Sequence, residues 1–211
     1  TVRRLADHAA RSLPALSTRL GIPSGGLLDV YVALPGTFQA IQPGAPPDWA
    51  DGTAWPRQGL IFLHSPHDRP GDAEPLETVL DHEMVHVLVG RAFAPRPVPR
   101  WLQEGLAQVV AGELGPQVVD TITNARLYGG LIPIDTLVRG FPSDVLGARL
   151  AYAQSADFVA WLVAEAGEDG LRRLIQAMAN GDTVESTLWE VTGRRLPELQ
   201  AMLKPDDLVV R

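Results

Sequence analysis

Residues 75–93 read Pro-Leu-Glu-Thr-Val-Leu-Asp-His-Glu-Met-Val-His-Val-Leu-Val-Gly-Arg-Ala-Phe, with His82, Glu83 and His86 near the centre. Pro75 suits the first position of a helix, because its missing N–H has no intrahelical partner there. On that helix His82 and His86 are offset by about 40° and ~6 Å of rise, so they share a face. Two imidazoles so placed can meet one tetrahedral metal ion. Glu83 points beside such an ion, where a carboxylate can take a proton from an activated water. The rest of the helix is apolar (Leu76, Val79, Leu80, Met84, Val87, Leu88). Two His and a Glu are costly to bury in such a setting unless something pairs with them, and a metal would.

Working outward, residues 2–20 carry Val2, Leu5, Ala9, Leu13, Leu16 and Leu20 at helical spacing, with Gly21 as a stop signal. Strands are expected at 27–34 and 59–63, with Thr53-Ala54-Trp55 as a third, and a Pro- and Gly-rich loop from Gln42 to Gly52. Strand 59–63 is either a rim where an extended peptide adds by β-pairing or simply buried sheet. Ala94-Pro95-Arg96-Pro97-Val98-Pro99 cannot be helix. Beyond it helices are expected at 100–114 (ended by Gly115-Pro116), 117–127, 149–166, 168–179, 184–192 and 197–203, with 128–147 as a loop. The fold class is therefore α+β, with a small, mostly antiparallel N-terminal sheet and a larger helical part. The chain divides into 1–94, ending in the His-Glu helix, and 95–211, together one catalytic unit.

A tetrahedral site needs a third protein ligand. No His follows His86, so a downstream ligand must be a carboxylate. The metzincin extension requires Gly at 89 and His at 92, where this chain has Val89 and Ala92. With no cysteine in the chain, thiolate ligands, disulfides and the peptide-deformylase arrangement are excluded. Glu104, in Trp101-Leu102-Gln103-Glu104-Gly105-Leu106-Ala107, is the best candidate: it opens a second helix after a linker that can fold back. Gly105 allows the close helix approach a shared metal demands. An ordinary exposed helical Glu explains the same residue, and His64 and His67, flanking Ser65-Pro66, are rivals.

His82-Glu83-x-x-His86 followed by Trp-Leu-x-Glu104-Gly-Leu-Ala resembles the gluzincins, zinc peptidases whose third ligand is a glutamate. Seventeen residues separate His86 from Glu104, similar to the spacing in that group. The layout also resembles the small bacterial peptidase-MA-like family, including Tyr152-Ala153-Gln154-Ser155 in the helical part. The resemblance implies a zincin-like fold and one Zn²⁺ held by His82, His86 and Glu104. It implies peptide-bond hydrolysis by Glu83-assisted attack of zinc-bound water. It also implies an oxyanion donor in the region of Tyr152, although a Tyr packed in the core accounts for that residue equally well, and Tyr128 is the runner-up. Gln108 and Asp81 are candidate outer partners of the ligands, and both are also ordinary helix residues. The aminopeptidase branch carries Gly-x-Met-Glu-Asn, which this chain lacks, so an endopeptidase is favoured. The alternatives are a non-catalytic zinc-binding domain and a zinc hydrolase of a non-peptide amide or ester.

The remaining composition narrows the partners. A net charge of −7 disfavours nucleic acid, and the substrate is expected to be a peptide or protein. Arg pairs at 3–4, 172–173 and 194–195 read as solvated helix faces, and Lys204 is the only lysine among 18 basic residues. No stretch approaches the ~18 consecutive apolar residues of a membrane span. The chain begins at Thr1, and the expectation is a fragment of an exported or membrane-anchored bacterial protein.

Overall fold

The structure is a computed structural model that describes residues 1–42, 50–69, 71 and 73–202. Most of the loop expected at 42–52 lies outside the described residues, as do Lys204 and the last residue of the 197–203 helix. Two compact units divide the chain, Thr1–Ala94 and Pro95–Arg211.

The first unit holds helix α1 (Val2–Leu20), strands β1 (Asp29–Val32), β2 (Gly52–Trp55) and β3 (Leu60–Leu63), and helix α2 (Leu76–Phe93). α1 ends where expected, at Gly21 in the left-handed region (φ 66°), which a side chain would resist. β2 turns into β3 through Pro56–Gly59 and pairs with it antiparallel, Gly52 opposite Leu63. β1 pairs with the other edge of β3 in parallel, Asp29 opposite Leu60. The sheet is therefore mixed, in the order β1-β3-β2. Of the two readings of strand 59–63 the structure selects buried sheet: β3 is the central strand, paired on both sides, and has no edge to offer a peptide.

Alternation gives β3 two buried faces. Phe62 packs with Ala33 and Phe38 on one side, stacking on Tyr31 of β1, while α2 packs against β2 and β3. Arg91, in the last turn of α2, donates to the carbonyls of Gly25, Leu27 and Pro56, tying the helix end to both chain segments that enter the sheet. α1 lies along α2, where Arg4 pairs with Glu77, and His8 and Ser12 both bond Oδ1 of Asp81.

The second unit holds α3 (Arg100–Ala111), α4 (Pro116–Leu127), α5 (Ile134–Leu137), α6 (Val145–Asn180), α7 (Val184–Thr192) and α8 (Leu196–Met202). α3 stops at Gly112 (φ 81°) rather than at Gly115-Pro116, which instead opens α4 with Pro at its first turn. The two helices expected at 149–166 and 168–179 form one element broken at Gly167 (φ 71°, ψ 175°). The region 128–147 contains the short helix α5 and the start of α6. The α+β class thus describes the molecule: a three-stranded sheet in a mostly helical chain. No helix among the described residues is long and apolar enough to cross a membrane.

Candidate metal centre

α2 is buried on almost every side, from Leu76 through Met84 to Phe93. Within it the His82 and His86 rings meet edge to face, with centroids 4.6 Å apart and planes at 84°. Their contact follows from the four-residue spacing. Glu83 is 5% exposed and His86 8%. Burial first, and the neighbouring His82 second, hold the His86 imidazole well below its ordinary 6.5. His86 is therefore neutral at physiological pH and presents a lone pair, as a metal ligand must. Asp81 does not face this chemistry through Oδ1, which His8 and Ser12 of α1 occupy.

Glu104 is half-buried in the second turn of α3, beside the buried apolar face of Trp101, Leu102 and Leu106. Gly105 is needed for a close approach, but to α6. A Cβ there would lie 2.5 Å from the Ser155 carbonyl oxygen and 2.6 Å from Val159. Gln108 donates to the carbonyls of Glu104 (3.2 Å) and Tyr152 (3.1 Å), fixing α3 against α6. Gln154 grips Ile132 by both its N–H (2.9 Å) and its carbonyl (2.6 Å), while buried Ser155 bonds Ala151. In Tyr152-Ala153-Gln154-Ser155 the last two residues thus secure packing, and the first carries a polar group. The Tyr152 hydroxyl accepts from Arg100 at 3.0 Å, and its ring meets Phe141 edge-on. The sequence pointed to neither Arg100 nor Phe141, although Arg100 stands one helical turn before Glu104.

His82, His86 and Glu104 each offer one ligand atom, and these atoms lie within 4.8 Å of one another. Neither rival joins them. His64 donates its backbone N–H to Asp51 and packs its ring on Phe38, and His67 is exposed. Tyr128 is 85% exposed at the end of α4. Two imidazoles and a carboxylate are a donor set suited to zinc, with one tetrahedral position left for water or substrate.

A family model for the peptidase MA superfamily matches residues 11–204. The chain belongs to the peptidase MA superfamily. No curated protein and no solved structure gives a significant match. Membership in the superfamily points to a metallopeptidase-like hydrolase with protein or peptide substrates; its members usually bind metal, and the His-His-Glu cluster could hold an ion.

Proposed function

We propose that this member of the superfamily is a zinc-dependent endopeptidase of gluzincin type. His82, His86 and Glu104 hold one Zn²⁺, Glu83 is the general base, and Tyr152 donates to the oxyanion. The observation that carries this is the meeting of two imidazoles and a carboxylate within 4.8 Å in a chain of metallopeptidase family. A bound zinc ion would supply Lewis acidity at the scissile carbonyl and acidify the attacking water. The chain's own residues supply the rest. The Glu83 carboxylate, next to the first ligand and buried on α2, takes the proton from the attacking water and returns it to the leaving amine. His86 is held neutral by its burial, so no proton competes for its lone pair. The Tyr152 hydroxyl, oriented by Arg100, donates to the developing oxyanion. The missing Gly-x-Met-Glu-Asn segment leaves no counterpart for a substrate's free amine and favours internal cleavage. We also propose an exported or membrane-anchored bacterial origin.

The test compares wild type, Glu83→Gln and Glu104→Ala for zinc content and for cleavage of a diverse peptide library. Glu83→Gln should keep one equivalent of zinc and lose on the order of 10³-fold or more in kcat. Glu104→Ala should lose the metal, whereas His64→Ala and His67→Ala should retain it. A wild type that binds zinc stoichiometrically and cuts no peptide would replace this proposal with the non-catalytic domain. Cleavage of only non-peptide amides or esters would replace the substrate class.

A further inference from the structure

Gly52 is the first residue of β2, opposite Leu63. Its φ lies outside the left-handed region, so the backbone there would accept any L residue. The space would not. A Cβ on Gly52 would stand 2.9 Å from both Cγ and Oε1 of Glu83 and 3.0 Å from Cγ1 of Val79. These two residues are one turn apart on α2, so the missing methyl is the gap in which the Glu83 side chain lies against the strand.

The strand is poorly placed to give way. Asp51 is clamped by Arg69 through two bonds of 2.7 and 2.9 Å, and its carbonyl accepts from His64 at 2.8 Å. The ladder to Leu63 holds Gly52 itself. Val79 is buried and β-branched, with one strongly preferred rotamer in a helix. Glu83 has three side-chain torsions and is the group that would move.

We infer that Gly52 is a positioning residue for the Glu83 carboxylate, and that the absence of its side chain sets where the proton acceptor stands. This rests on the proposed role of Glu83 as general base. A displacement of about 1 Å in a reacting group is enough to cost on the order of 10²-fold in rate. Zinc affinity should be indifferent, because Gly52 touches neither His82 nor His86 among its nearest atoms.

The experiment uses Gly52→Ala, Glu83→Ala and the double variant. Zinc content, urea midpoints, and kcat and KM on a peptide cleaved by the wild type are measured. Gly52→Ala should bind one equivalent of zinc, lose on the order of 10²-fold in kcat, and shift KM by less than about twofold. Its urea midpoint should fall in the wild-type background and fall by less than half as much in the Glu83→Ala background, where the displaced carboxylate is gone. Unchanged kcat in an active enzyme, or an additive stability cycle, overturns the inference. So does failure of Gly52→Ala to fold in both backgrounds, because the clash would then be with the helix and not with Glu83. A wild type that cleaves nothing defeats the peptidase proposal alone. The stability cycle then decides the position of Glu83 by itself.

Discussion

Helices α2 and α3 carry the candidate metal ligands, two on α2 and one on α3; both are largely buried, but they differ in how deeply they hold their acidic groups. α2 is dry on nearly all sides, and His86 and Glu83 are held inside an apolar helix. α3 buries Trp101, Leu102 and every residue from Gly105 to Val110, with Glu104 half-buried just before that stretch. A fully buried polar residue such as Glu83 or His86 costs free energy and needs a reason, whereas a half-buried one such as Glu104 costs less. That is why Glu83 and His86 stand out in an apolar helix more sharply than Glu104 does in α3. The contrast reaches the glycines. Gly105 of α3 abuts the backbone of α6, while Gly90 of α2 abuts the ring of Pro56.

The largest effect that can break this comparison is Gly105→Ala. Its Cβ would meet the Ser155 carbonyl oxygen at 2.5 Å and its carbon at 3.0 Å, both backbone atoms of a helix. Overpacking against a helix backbone should cost about 3 kcal/mol. Urea unfolding measures it, and a loss near zero would mean that α3 is free to move off α6.

Gly90→Ala is the matched substitution on α2 and should cost less, about 2 kcal/mol. Its Cβ would lie 2.5 Å from Cβ and 2.6 Å from Cγ of Pro56. Those atoms belong to the Pro56–Gly59 turn, which can shift as a unit, although Arg91 grips the Pro56 carbonyl. A larger loss than in Gly105→Ala would reverse the order and make the turn the stiffer partner.

The same contrast explains what the sequence made legible. Helix and strand positions followed from periodicity, and the end of α1 from Gly21, which is left-handed. The end of α3 was misplaced because Gly112 and Gly115 look alike in sequence, and only the first has the positive φ that terminates a helix. The place of β3 between β1 and β2 depends on β1 pairing with residues 31 positions further along, which no local pattern encodes. In the candidate site, charged and aromatic side chains in dry surroundings were visible. Gly52 was not, since its contribution is an atom it lacks. Arg100 carries no signal in the sequence, and its contacts with Tyr152 and Phe141 are what distinguish it.

Acidification gives the smallest effect and separates the two units by sign. Burial, with His82 second, lowers His86 in the first unit, whereas in the second unit burial raises Asp157 against the opposing pull of Arg126. Below its unfolded value of 6.5, His86 takes up a proton in the unfolded chain that the folded chain refuses. Protons then favour unfolding, and stability falls as pH drops from that value toward the folded one. Asp157 runs the other way: its neutral form is the one burial favours. Its contribution is present at low pH and lost as pH rises from 3.8 through its raised value. Metal-free wild type should therefore lose stability from pH 7 to 5.5 with a slope of at most about 1.4 kcal/mol per pH unit from His86. His86→Gln should flatten that slope, and Asp157→Asn should leave it in place. Urea midpoints in the presence of a chelator measure both. An equal slope in His86→Gln would show that another group titrates there and that the dryness of α2 does not govern its imidazole.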